Sequence, residues 1–228
     1  IMVVDNNSRD GTSGAVAAIG DPRLRVIREP RQGLSFARNA GIDAARAPIV
    51  AFTDDDVEAA PGWVETIVSA LESHPQADGV GGRVLPAWVR QRPSWLTREH
   101  WAPLALQDHG DGRRIFDRSR PIGLVGANVA FRRHVFERIG LFSKDVQRVK
   151  EGIGSTEDHD LLSRLYAAGG RDTIKEKGNC RKALDLLRRK RFVVDDHHLT
   201  TREDTDAFKA EHGVTTTPQV FIDGKRIG

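Results

Sequence analysis

The chain has 228 residues, of which 39% are hydrophobic and 29% charged, with a formal net charge of +3. That balance fits a soluble globular protein with enough apolar material for a core and excludes a disordered or collagen-like chain. The single cysteine, Cys180, excludes an internal disulfide framework and a cysteine-built zinc site, and no apolar run approaches the ~20 residues of a membrane-spanning helix.

Taken in order, residues 1–85 alternate strand and helix signals, the mark of an α/β sheet. Ile1–Val4 is an apolar run ending at Asp5. No basic segment precedes it, so no signal peptide is read, and a chain opening inside a strand-like run is expected to be truncated. Turn and capping residues fill 6–12, and Gly14–Ile19 then reads as helical. Leu24–Ile27 reads as a strand, Ser35–Ala45 as a helix and Ile49–Thr53 as a buried strand closing on Asp54-Asp55-Asp56. After Pro61, the residues Val64, Ile67, Val68 and Leu71 follow at helical spacing. Gly79–Leu85 predicts another strand. The stretch 86–120 carries Trp88, Trp95 and Trp101 with weak periodicity. Val125–Phe131 then predicts a strand, Arg132–Ile139 a helix stopped by Gly140, and Glu157–Ala168 a helix stopped by Gly169-Gly170.

Beyond about Arg171 the character changes. Residues 171–228 hold 13 Lys+Arg against 10 Asp+Glu and so account for the whole net charge, chiefly through Arg188-Arg189-Lys190-Arg191. That run suits either phosphate binding or a solvated helix end, and no nucleic-acid-binding motif accompanies it. Cys180–Lys190 reads as a basic amphipathic helix, Phe192–Val194 as a strand and Arg202–His212 as a helix. Val220–Ile222 and Lys225–Ile227 flank Asp223-Gly224, a strong hairpin signal. His197-His198 has no partner ligands in sequence and reads as surface.

Several acidic groups invite a chemical reading. Asp54-Asp55-Asp56 closes an apolar strand, and ligands in open α/β sheets bind at the carboxyl ends of strands. If the segment stays extended, Asp54 and Asp56 face one way and Asp55 the other. Two carboxylates there suit a hard cation, Mg²⁺ or Mn²⁺, shared with substrate phosphates; a solvated acidic turn is the competing reading. Asp5 is either a turn residue or a ligand at a strand tip. Arg38 is either an exposed charge or a phosphate clamp. Glu157-Asp158-His159-Asp160 opens a helix, so its carboxylates either cap the helix or supply a general base.

The ordered set Val3-Val4-Asp5-Asn6-Asn7-Ser8-x-Asp10-Gly11-Thr12, Gly33-Leu34-Ser35-x-Ala37-Arg38-Asn39, Phe52-Thr53-Asp54-Asp55-Asp56, Gly126-Ala127-Asn128 and Glu157-Asp158-x-Asp160-Leu161-x-x-Arg164-Leu165 resembles glycosyltransferase family 2, inverting nucleotide-sugar enzymes of GT-A fold. The resemblance covers about 1–171. It implies an α/β, Rossmann-like GT-A domain lacking its first strand, a nucleotide-diphosphate sugar donor, and a saccharide, lipid-linked or other hydroxyl acceptor. It further implies that Asp5 reads the base with Asn7 beside it, that Arg38 and Asn39 lie near the nucleotide, that Asp54 contacts the ribose, that Asp56 binds Mn²⁺ or Mg²⁺, and that Asp158 is the base. The tryptophans of 86–120 either stack on sugars or pack. The family's opening strand and first helix would precede Ile1, and its usual continuation after Gly170 is not seen. A cytoplasmic location is expected, with peripheral seating at the inner face of a membrane as the alternative.

The tail is different. Ile174, Cys180-Arg181-Lys182-Ala183 and Thr216-Thr217-Pro218-Gln219-Val220-Phe221-Ile222-Asp223-Gly224 resemble glutaredoxin, of thioredoxin fold, over about 173–228. This resemblance implies an incomplete thioredoxin-like segment (172–228), with Thr217 and Pro218 beside a thiol site and glutathione as a ligand. The helix register puts Cys180 at the second cysteine of the redox motif and Lys177 at the first, so thiol exchange would fall to Cys180 alone, activated by the helix N-terminus, against an inert half-buried cysteine. Three readings therefore stand: a sugar transferase, a redox or glutathione-binding module, and a fusion of two incomplete domains with neither activity.

Overall fold

The computed structural model describes residues 1–88, 97–98, 101–110, 112, 114–146, 157–174, 180–183, 221–222 and 225–226. The first sixty residues give β1 (Met2–Asp5), α1 (Thr12–Ala18), β2 (Arg25–Arg28), α2 (Leu34–Ala44), β3 (Ile49–Phe52) and β4 (Val57–Ala59). There follow α3 (Trp63–Ser73), β5 (Gly79–Gly81), β6 (Val84–Ala87), β7 (Arg114–Phe116), β8 (Val129–Arg132), α4 (His134–Ile139), α5 (Glu157–Ala167), β9 (Asp172–Ile174) and β10 (Cys180–Ala183). A last pair, β11 (Phe221–Ile222) and β12 (Lys225–Arg226), closes the order. Among the described residues no helix is long and apolar enough to cross a membrane.

The central sheet runs β3-β8-β5-β9-β7, antiparallel except for the parallel β5–β9 pair. Side chains alternate across it, as pleating requires. Val129 and Phe131 of β8 point into a cluster with Ile42 of α2, Val135 and Phe136 of α4, Phe142, and Leu161, Leu162 and Leu165 of α5. Ala130, between them, joins Ile67, Ala70 and Leu71 of α3 on the opposite face. The result is a helix–sheet–helix sandwich. The aromatic rings of Phe52, Phe131, Phe136 and Phe142 meet largely edge-on, with centroids 5.5–6.5 Å apart. Gly79 must lack a side chain: a Cβ there would lie 2.5 Å from Asp172 Oδ1 and 2.7 Å from the Phe131 ring.

Beside this sheet, β1 and β2 form a parallel pair, and β4, β10 and β6 a second small sheet. Asn6 ties the exit of β1 to the entry of α2: its Nδ2 donates to Arg31 O at 2.6 Å, and Gly33 N–H donates to its Oδ1 at 2.7 Å. Asn39, on α2, donates to Phe142 O at 2.9 Å and accepts from Phe142 N–H at 3.0 Å. Both groups are buried, so Asn39→Ala strands a peptide donor and acceptor and is expected to cost about 2–3 kcal/mol in chemical denaturation; a loss below about 0.5 kcal/mol would mean that the pair is not sustained in solution.

Several sequence expectations need correction. Gly79–Leu85 is not one strand: the chain leaves the central sheet after Gly81 and enters the small sheet at Val84, turning where Arg83 Nε bonds Asp108 at 2.6 Å and Arg83 O accepts from Asn128 at 2.8 Å. Val125–Phe131 begins as a 3₁₀ turn over Gly126–Asn128, closed by Asn128 N–H to Val125 O at 3.0 Å, because this lets Asn128 accept from Trp63 Nε1 at 2.9 Å. Arg132 belongs to β8, and α4 starts at His134. The acidic run is not extended through Asp56: β3 ends at Phe52 and the chain turns at Asp55-Asp56 into β4. A strand does continue after Gly170, since β9 pairs with both β5 and β7.

In the tail, Cys180–Ala183 is a strand, not the start of a helix. It lies parallel to β6 and antiparallel to β4, and that two-sided ladder overrides the helical pattern of its residues. A helix N-terminus therefore cannot activate Cys180. The hairpin expectation holds, with Phe221 opposite Arg226 and Ile222 opposite Lys225. Trp95, Lys177, 188–194, His197-His198, 202–212, Thr217, Pro218 and Asp223-Gly224 lie outside the described residues.

Candidate active site

The antiparallel register of β3 and β8 sets Phe52 opposite Val129. The acidic turn leaving β3 and the Gly126–Asn128 turn entering β8 therefore share one end of the sheet. The N-terminal half of α2 and the first turn of α5 arrive at the same end, and carry the two groups that meet there. Arg38, 9% exposed, crosses from α2: its Nη1 donates to Asp158 Oδ1 at 2.6 Å and to Glu157 Oε1 at 3.1 Å. Asp158 Oδ2 accepts from Gly126 N–H at 3.0 Å. The guanidinium rests over the Phe142 ring, 5.1 Å from its centroid, so the aromatic core forms the floor of the site.

Burial pushes the Asp158 carboxyl above the ordinary aspartate range. The charges of Glu157 and Asp54 push the same way, and Arg38 and the Gly126 N–H oppose them. That Asp54 acts on Asp158 puts the β3 tip within electrostatic reach of the α5 start. The rest of the acidic α5 turn is structural: Asp160 accepts from Arg164 at 2.7 Å, and Arg164 goes on to bond Ile139 O at 2.5 Å and Leu141 O at 2.9 Å beyond α4.

The other sequence-predicted residues fall as follows. Asp5 ends β1 buried, accepting from Ser8 N–H at 2.9 Å and from the Ser13 hydroxyl; the Ser13 and Ser8 hydroxyls and the Ser8 N–H hold its carboxyl down at about 2. Asn7 follows in the left-handed region at φ 60°, a conformation asparagine tolerates better than most residues. The Asn39 amide is engaged by Phe142. Asp54 and Asp56 are half-buried and Asp55 exposed. Trp101 packs against the Val84, Leu106 and Ala127 cluster, and the Arg98 guanidinium covers its ring at 5.5 Å.

Among the described residues no three His, Cys, Asp or Glu side chains form a metal-binding group. Asp54 and Asp56, both half-buried at the turn leaving β3, offer carboxylate oxygens of the kind that Mg²⁺ or Mn²⁺ takes together with substrate phosphates and water rather than in an all-protein cage. Two members of the site had no role assigned from sequence, Glu157 and Gly126. The signal was present in Gly126, a glycine beside a buried strand, which marks a close approach.

The family model described as Glycosyl transferase family 2 matches residues 1–140. The chain belongs to glycosyl transferase family 2. A second model, Glutaredoxin, matches residues 178–227. Among family 2 relatives, a glucosyl-dolichyl phosphate glucuronosyltransferase of Haloferax volcanii is 29% identical over 179 residues, covering 78% of this chain and 56% of the relative. The succinoglycan biosynthesis protein ExoO of Rhizobium meliloti is 29% identical over 184 residues, covering 77% of this chain and 49% of that protein. The chain thus spans about half the length of the curated relatives it matches. In structure it resembles the mannosyltransferase PcManGT of Pyrobaculum calidifontis in complex with GDP-Man and Mn²⁺ (TM-score 0.56, 25% identity, 81% of this chain and 48% of that one). It also resembles GalNAc-T7 with UDP, GalNAc and Mn²⁺ (TM-score 0.57, 16% identity, 80% and 37%), a likeness of fold alone. The fold of this family 2 chain is GT-A.

Proposed function

We propose that the chain carries the donor site and base of a glycosyltransferase that moves a sugar from a nucleotide-diphosphate donor to an acceptor hydroxyl with inversion. The observation that supports this most is Asp158, half-buried with a donor on each oxygen, at the same sheet end as the acidic turn of β3. Asp5 and Asn7 at the tip of β1 would bind the base and Asp54 the ribose. Asp56 would hold Mn²⁺ or Mg²⁺; bound there, the cation neutralises charge on the departing diphosphate.

Asp158 would accept the proton of the acceptor hydroxyl as its oxygen attacks the anomeric carbon from the side opposite the diphosphate. One displacement of that kind inverts the anomeric centre. Its raised pKa makes Asp158 a stronger base than an exposed aspartate, while Arg38 and the Gly126 N–H keep the ionised form accessible. The Haloferax likeness favours a lipid-linked acceptor and the Pyrobaculum likeness a GDP-sugar donor.

Titration calorimetry with UDP- and GDP-sugars, with and without Mn²⁺, tests the donor half of the reading. Binding by the wild-type protein is expected to need the metal, and Asp56→Ala to weaken it at least tenfold. Metal-independent binding, or none across the donors, would overturn the assignment of Asp56.

A further inference from the structure

One arm of the Arg38 guanidinium is already engaged. Nη1 is shared between two carboxylates, at 2.6 Å and 3.1 Å, in a pocket where Arg38 and Glu157 side chains are 8% and 0% exposed. The Asp158 carboxylate has two donors from two different elements, Arg38 on its Oδ1 and the Gly126 N–H on its Oδ2, and two such anchors fix both its plane and its position. The arginine reaches it by passing directly over Gly126. A Cβ on Gly126 would overlap Arg38 Nη2, and would stand 2.8 Å from Cζ and 3.1 Å from Asp158 Oδ2. The Phe142 ring closes the other side of the guanidinium.

We infer that Arg38 is a positioning residue for Asp158 rather than a phosphate ligand, and that Gly126 is glycine to leave the corridor through which Arg38 reaches it. The inference rests on the reading of Asp158 as base. An arginine whose Nη1 is committed to Glu157 and Asp158, whose side chain is only 8% exposed and whose guanidinium is flanked by the Phe142 ring and Gly126, is placed to hold the carboxylate before any diphosphate. What it gives the site is a carboxylate held in one orientation, the condition for accepting a proton from a hydroxyl in a single pose. The charged groups facing Asp158 are Arg38 from α2, Glu157 from its own helix and Asp54 from the β3 tip. Loss of Arg38 leaves the other two opposed by the Gly126 N–H alone.

The test compares Arg38→Gln, Arg38→Lys and Gly126→Ala with Asp158→Asn, using the Mn²⁺-loaded full chain. Donor affinity, kcat, KM and the pH dependence of kcat/KM are measured, with carboxyl ¹³C NMR of Asp158 assigned by its absence in Asp158→Asn. Arg38→Gln and Gly126→Ala are expected to lower kcat about 100-fold, to leave donor affinity within threefold, and to move the acidic limb of the profile and the Asp158 NMR titration to higher pH. Arg38→Lys keeps the buried charge and hence the fold, so it is expected to leave that titration in place while kcat still falls, separating geometry from charge. Donor affinity falling in step with kcat in Arg38→Lys would make Arg38 a phosphate ligand and overturn the inference. An unmoved Asp158 titration in Arg38→Gln and Gly126→Ala would overturn it too. If instead Asp158→Asn keeps turnover, the base reading itself fails, a result distinct from either of these.

Discussion

Asp158→Asn is expected to abolish glycosyl transfer, lowering kcat by about 10²–10⁴-fold, the range for loss of a general base, while donor affinity stays within threefold. The substitution keeps the size of the side chain and one oxygen for Arg38, but the amide cannot take up a proton. Single-turnover rates beside calorimetric donor affinity would check it, and transfer within tenfold of wild type would remove Asp158 as base. The wild-type pH profile supplies a second check. With Asp158 as the proposed base the ionised form is the active one, so activity is expected to rise with pH through the pKa of Asp158. Because burial lifts that pKa, the acidic limb is expected above the ordinary carboxylate range.

The second large effect concerns stability, far from the site. Asp172 in β9 is fully buried, and burial pushes its carboxyl up to about 7, with the Asp78 charge adding to the rise and the Tyr166 hydroxyl opposing it. Asp78 is itself paired with Arg138 at 2.9 Å and stands 3.5 Å from His134. A raised carboxyl pKa means that the folded state binds the proton more tightly than the unfolded chain. The contribution is complete below the unfolded value near 3.9 and is lost as pH rises towards 7. About three pH units at 1.36 kcal/mol each give a decline on the order of 4 kcal/mol. Asparagine mimics the protonated acid and does not titrate. Asp172→Asn is therefore expected to remove most of this decline, gaining on the wild type as pH rises from 4 to 8 in urea titrations. Parallel stability–pH curves for the two proteins would show that Asp172 ionises normally.

The physics of this site explains which parts of it were readable from sequence. Helices α3 and α5 carry apolar residues every three or four positions, and their bounds follow closely from that stripe. The strand β3 is an apolar run and is equally plain. Gly79–Leu85 and Val125–Phe131 misled because periodicity does not record where a chain changes sheets. Those decisions lie in Arg83 with Asp108, and in Asn128 with Trp63, 65 residues apart. In the same way the motifs marked Arg38 and Asp158 separately. Their contact spans 120 residues and is created only when α2 and α5 are packed on the same face of the sheet. Cys180–Ala183 was misread for a like reason: its pattern is helical, and its conformation is dictated by the strands on either side.

That placement of β10 bears on how the chain can be cut. The stretch matched by the Glutaredoxin model supplies the middle ribbon of a sheet whose two outer ribbons, β4 and β6, belong to the stretch matched by the family 2 model. Trimming the protein back to residue 171 would strip the peptide groups of both outer ribbons of their shared partner at once, leaving sticky borders that recruit other copies. A well-behaved shortened version must extend past Ala183.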